Sequence, residues 1–166
     1  GRPLDENVIR CISTWKKFLP DYEVVRWDEG NFDLTANAYC SEAYESKKWA
    51  FASDYARLWV LVKYGGIYMD TDVEVLKPLD SFLSHAAFSG FESDGRIPTG
   101  IMACEKGFPL FSDLLDEYNE RHFVKYDGSF DTTTNVVAIT NACLKRGFRP
   151  NGAFQLVEGF ALYPKD

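Results

Sequence analysis

Histidine, cysteine and positive charge are scarce in this chain. It has two histidines and four cysteines among 166 residues. His85 and His122 lie far apart, without the partners that a nucleophilic triad or a metal site would place near them. Cys11, Cys40, Cys104 and Cys143 contain no Cys-x-x-Cys pair and no Cys/His spacing, which argues against a structural zinc site. Their neighbours are apolar, as in Met102-Ala103-Cys104, so they read as buried free thiols of a reducing compartment rather than disulfides. Eighteen basic residues face twenty-five acidic ones, for a net charge of −7. No Lys/Arg block is present to neutralise phosphates or to bind an anionic bilayer, which argues against nucleic acid and against a polybasic membrane patch. An anionic nucleotide remains compatible with this charge when a divalent cation stands between the two. The longest apolar run is Leu58 to Val62, far short of a membrane span. No leader pattern, repeat, linker or low-complexity tract is evident.

Apolar residues are abundant at 46%, and aromatics reach 16%. The length suits one domain, residues 1–166, with a sizeable core. Core packing accounts for most of the rings, and some are expected to line a cleft. Pro3 to Leu19 is expected to be a helix, with Val8, Ile9, Ile12, Trp15 and Leu19 on one face. Tyr22 to Trp27 reads as a strand and Asp28 to Asn37 as a loop. Ser41 to Lys48 and Phe51 to Tyr64 read as helices, the second stopped by Gly65-Gly66. Strands are expected at Ile67–Met69, Val73–Leu76, Ala86–Phe91, Thr99–Cys104 and Gly159–Tyr163. Helices are expected at Pro109–Arg121 and Thr132–Arg146. This alternation implies an α/β fold with a mostly parallel sheet flanked by helices.

The informative stretch is Ala50 to Asp80. Asp70-Thr71-Asp72 follows the apolar strand Ile67-Tyr68-Met69, and in open α/β sheets ligands bind at such strand ends. Fourteen aspartates predict about one Asp-x-Asp pair by chance, so the bare motif is weak. Two carboxylates at a strand end suit a hard cation, Mn²⁺ or Mg²⁺; the alternative is a solvated acidic turn. Asp54 and Arg57 share a face of the preceding helix. They form either a surface ion pair or a pair aimed over the sheet edge at a ligand. The small neighbours Ala50, Ala52, Ser53 and Ala56 allow the close approach that the second reading needs.

Ala52-Ser53-Asp54-x-x-Arg57 followed by Gly65-Gly66-Ile67-Tyr68-x-Asp70-x-Asp72 resembles the donor site of the glycosyltransferases with a DXD sugar-binding region. These are the capsular-polysaccharide and yeast-type initiating mannosyl transferases, distantly related to clostridial glucosylating toxins. Ser13 to Pro20, Val73 to Leu79, Gly90-Phe91-Glu92 and Thr133-Thr134-Asn135 look like the bacterial branch. The resemblance implies a GT-A-like fold and retaining, metal-dependent transfer of a hexose from a UDP- or GDP-sugar to a glycan or lipid-linked acceptor. It implies Asp72 and Asp70 as metal ligands for Mn²⁺ or Mg²⁺. It makes Asp54, Arg57, Asp70 and Asp72 the candidate catalytic residues, and Asp54, Arg57, Tyr68, Asp70, Thr99 and Asn135 the donor-binding set. The corresponding expectation for location is a bacterial cytoplasm at the inner face of the membrane, with peripheral association. Relative to that family the chain is expected to be truncated at both ends, so that these residues alone have weak or no transfer activity. Two other readings stand beside this one: a catalytically incomplete sugar-nucleotide or Mn²⁺-binding module, and a non-enzymatic α/β interaction domain.

Overall fold

The computed structural model describes residues 5–165. The first helix, α1, runs Glu6–Phe18, with the Asp5 carboxylate capping it by accepting the Asn7 N–H at 2.8 Å. Pro3, expected in its first turn, lies outside the described residues. Helix α2 is Ala38–Glu45, capped by Asn37, and α3 is Trp49–Tyr64. Gly65 then ends α3 at φ 72°, its N–H donating to the Leu61 carbonyl at 2.8 Å. A Cβ there would come within 2.7 Å of the Lys106 backbone nitrogen. Glycine is therefore required both by the turn and by close approach of the chain.

Strand β1 is Gly66–Met69, β2 is Ala87–Gly90 and β3 is Ile101–Cys104. Helix α4, Pro109–Asp116, is followed by a 3₁₀ turn over Glu117–Glu120. Helix α5, Asn135–Lys145, and strands β4, Gln155–Val157, and β5, Phe160–Tyr163, complete the chain. The five strands form one sheet in the order β1-β3-β2-β5-β4. Alternate strand residues feed two clusters. Met102, Cys104, Ala87, Phe160 and Leu162 join the main core with Leu58 and Leu61 of α3, Phe111 and Leu114 of α4, and Ile139 of α5. Phe88, Ala103 and Ala161 line the other face with Ile67, Phe82 and Tyr163. All four cysteines are buried and free. No helix among the described residues is long and apolar enough to cross a membrane.

The expected parallel sheet is corrected. Only β2–β5 is parallel; β1–β3, β2–β3 and β4–β5 are antiparallel. Parallel neighbours need a long crossover. Here α4 and α5 fall between β3 and β4, whereas β1, β2 and β3 follow one another with no α-helix between them. Two expected strands are absent as strands. Residues 22–27 form no strand, and Val24 and Val25 are exposed. Residues 73–76 also lie outside the sheet, and their backbone bonds to side chains of α1 instead. Trp15 Nε1–H donates to the Val73 carbonyl at 2.7 Å, and the Val75 N–H donates to Thr14 Oγ1 at 2.9 Å. Cys11 Sγ–H donates to the Asp72 carbonyl at 3.4 Å. Trp15 and Leu19 bury against Val75 and Leu79, so helix and segment share one small core.

Candidate donor site

Three separate parts of the chain meet around one guanidinium. Asp54 and Arg57 occupy one face of α3 and are both buried, at 7% exposure each, although the rest of that face is apolar. Arg57 Nη2 lies 3.4 Å from Asp70 Oδ1, just past the end of β1, and 3.6 Å from Asp54 Oδ1. Arg57 Nη1–H donates to the Thr99 carbonyl at 2.9 Å and also to the Thr99 hydroxyl. The guanidinium carbon stands 4.9 Å from the centroid of the Tyr68 ring, and the Tyr68 hydroxyl donates to Asp70 Oδ1 at 2.7 Å. A planar fork with five donors suits this role, since one nitrogen faces two carboxylates while the other holds a loop. The Asp70 N–H donates to the Gly100 carbonyl at 2.7 Å, which carries the β1–β3 ladder one step further and fixes the Asp70 backbone.

Burial raises the Asp54 pKa above the usual carboxylate value, while Arg57 and the Asn135 N–H oppose that rise. Burial also pushes the Tyr68 pKa upward, so its hydroxyl stays protonated and donates to Asp70. Of the two expected surface or ligand-facing roles for the Asp54–Arg57 pair, the surface one is excluded by this burial.

Of the expected site residues, Asp54, Arg57, Tyr68, Asp70 and Thr99 are in direct contact with one another. Asn135 joins them through Asp54: its N–H donates to Asp54 Oδ2 at 3.0 Å. Asp72 stands apart, exposed on the segment that α1 holds. No group of three His, Cys, Asp or Glu side chains suited to a metal exists among the described residues. The donor set still fits a hard divalent cation of the Mg²⁺ type, which is held by one or two carboxylates and completed by substrate phosphates. Asp72 is solvent-facing, and Asp70 has Oδ2 outside the bonds that Tyr68 and Arg57 make to Oδ1. Tyr118 was missed at the sequence level. Its hydroxyl donates to Asn135 Oδ1 at 2.7 Å, and a hydroxyl on an otherwise apolar helix face was the available signal.

Residues 5–89, just over half the chain, match the family described as glycosyltransferase sugar-binding region containing DXD motif. The chain belongs to this family. Over 100 residues this DXD glycosyltransferase chain is 36% identical to inositol phosphoceramide mannosyltransferase 3 of Schizosaccharomyces pombe, covering 58% of the chain and 28% of that protein. Over 121 residues it is 31% identical to inositol phosphoceramide mannosyltransferase 1 of the same yeast, covering 70% of the chain and 37% of that protein. It therefore spans little more than a third of these relatives at most. A solved structure of the PaToxG glycosyltransferase matches with a TM-score of 0.56 at 22% identity, covering 87% of this chain and 64% of that one. This likeness is one of fold. The matched region runs from α1 through α3 and β1 into β2, and so includes Asp54, Arg57, Asp70 and Asp72.

Proposed function

We propose that this chain carries the donor-binding part of a metal-dependent glycosyltransferase that moves a hexose from a UDP- or GDP-sugar to a glycan or lipid-linked acceptor. The observation that carries this reading is the convergence of Asp54, Arg57 and Asp70 within the matched family region, which also holds the exposed Asp72 two residues further on. Asp70 and Asp72 would hold Mn²⁺ or Mg²⁺, which supplies Lewis-acid neutralisation of the leaving diphosphate. Asp54 and Arg57 orient the sugar hydroxyls, and the Asp54 and Asp70 carboxylates stabilise positive charge developing on the sugar ring. Tyr68 and Thr99 hold the Asp70 carboxylate and the Arg57 fork in place. Retention of anomeric configuration, a role in capsular-polysaccharide synthesis and a bacterial cytoplasmic site at the membrane are part of the same proposal. They are supported by the motif resemblance. The yeast relatives named for inositol phosphoceramide favour a lipid-linked acceptor.

Calorimetric titration with UDP-glucose and GDP-mannose, with and without Mn²⁺, tests the reading. Metal-dependent binding that disappears in Asp72→Ala is the expected result. Binding of neither nucleotide, or binding indifferent to Mn²⁺ and to Asp72→Ala, refutes it. Hydrolysis or transfer by the same sample would separate a working transferase from a binding module.

A further inference from the structure

Asn135 opens α5 and is wholly buried. It grips Asp54 at two points. Its backbone N–H donates to Asp54 Oδ2 at 3.0 Å, and its side-chain Nδ2–H donates to the Asp54 carbonyl at 2.6 Å. Its own Oδ1 accepts the Tyr118 hydroxyl at 2.7 Å. The Asp54 carbonyl can only accept, so the amide NH₂ faces it and the amide oxygen is left for the Tyr118 hydroxyl. Tyr118 is itself 1% exposed, and its ring lies 4.5 Å from the guanidinium carbon of Arg121. Arg121 also sits 4.6 Å from the Tyr39 ring and donates to Asp131 Oδ2 at 3.0 and 2.8 Å. A chain of contacts therefore runs from Asp131 through Arg121, the Tyr118 ring and Asn135 to Asp54. No buried side-chain nitrogen or oxygen among the described residues lacks a partner.

We propose that Asn135, latched by Tyr118, is a positioning residue that aims the Asp54 carboxylate at the donor sugar and does not itself touch the donor. Oδ2 of Asp54 is occupied by the N-terminus of α5, where a negative charge is favoured. Oδ1 stands 3.6 Å from Arg57, beyond ordinary hydrogen-bond length, and is the oxygen left for a sugar hydroxyl. Asn135 has no such freedom, since its N–H, its amide NH₂ and its amide oxygen all serve protein partners. The role rests on the donor-site reading above and adds to it the element that sets Asp54, namely α5.

The test compares Asn135→Ala with Tyr118→Phe. Tyr118 bonds the amide oxygen of Asn135, and the phenylalanine variant removes only the hydroxyl that holds it. Dissociation constants for UDP-glucose and GDP-mannose in Mn²⁺ are measured below the unfolding temperature of each variant. Supporting partners of this kind are worth about 10- to 100-fold in function, and Asn135→Ala is expected in that range, with a smaller loss in the same direction for Tyr118→Phe. Unchanged affinity in both variants assigns Asn135 to fold stability alone and overturns the proposal. A loss in Asn135→Ala with none in Tyr118→Phe means direct donor contact and also overturns it. A ligand-free arm follows the Asn135 amide proton by NMR. Its exchange should accelerate more than about tenfold in Asp54→Ala, because a hydrogen bond to a charged acceptor is lost. Unaltered exchange removes the clamp. If the wild-type chain binds neither nucleotide, the donor reading falls, and the exchange arm still decides the clamp.

Discussion

Replacing Arg57 by lysine keeps a positive charge in the site and removes the fork. The guanidinium works with two nitrogens at once. Nη2 faces Asp54 and Asp70, while Nη1 holds the carbonyl and hydroxyl of Thr99. A single ammonium cannot occupy both places. If it stays with the carboxylates, the Thr99 carbonyl and hydroxyl lose their donor in a region where Thr99 is 6% exposed. Hydrogen bonds to a charged group contribute about 1.5–3 kcal/mol each, so a net loss of roughly 2–4 kcal/mol is expected after partial repair by water. For a chain of this size that lowers Tm by about 4–16 °C. Arg57→Ala goes further, because Asp54 and Asp70 then lose the cation between them, and breaking a buried pair costs about 3–5 kcal/mol. Urea and thermal unfolding of wild type, Arg57→Lys and Arg57→Ala give the order directly. A lysine variant within about 0.5 kcal/mol of wild type, the range of ordinary surface substitutions, would show that charge alone matters and refute the argument from the fork.

Asp72→Ala should abolish Mn²⁺-dependent nucleotide binding while leaving the unfolding midpoint nearly unchanged, because Asp72 is exposed and only its backbone carbonyl is engaged; a large drop in Tm would give the side chain a structural role instead. Asp54 has a folded pKa raised above its unfolded value of roughly 3.9, so its ionisation lowers stability as pH rises through that window. The stability of Asp54→Asn relative to wild type should therefore grow from pH 4 upward and level off above the folded pKa; a difference that shrinks with rising pH reverses the sign and refutes the burial argument. Gly65→Ala combines a φ of 72° with a 2.7 Å approach to the Lys106 nitrogen and should cost more than about 1 kcal/mol in urea unfolding. Trp15→Phe removes the N–H bonded to the Val73 carbonyl and should cost about 1 kcal/mol, visible in the same assay.

The stretch around the site was legible in sequence because its signals are local. A glycine in the left-handed region stops α3, an apolar run makes β1, and the two aspartates follow. The pair Asp54 and Arg57 could be placed on one helix face by spacing alone. Its burial could not, because that depends on Thr99 and Asp70 arriving from elsewhere in the fold. Strand direction was misread for a related reason. Alternating helices and strands suggest crossovers, yet β1, β2 and β3 are joined without an α-helix and pair largely antiparallel. Val73–Leu76 shows the limit of pattern reading. Alternation marks which side chains are buried, and Val75 is buried, but it does not reveal that the backbone partners are side chains of α1. Strand β4 was overlooked because it has three residues after a polar, glycine-containing turn.

The tethering of residues 72–75 by α1 bears on how such a site can be retuned. A strand held in a ladder moves only with its neighbours, so shifting an aspartate there would deform the sheet. Asp72 instead rides on backbone secured by Cys11, Thr14 and Trp15, three side chains within about one turn of one helix. Each tether can be lengthened, shortened or dropped by a single substitution while Asp70 stays registered against Gly100. The Asp70 carbonyl also accepts the Val73 N–H at 3.0 Å, so a single turn joins the two aspartates. One is anchored to the sheet and the other to α1, so changes in α1 bear on that turn without touching either acid.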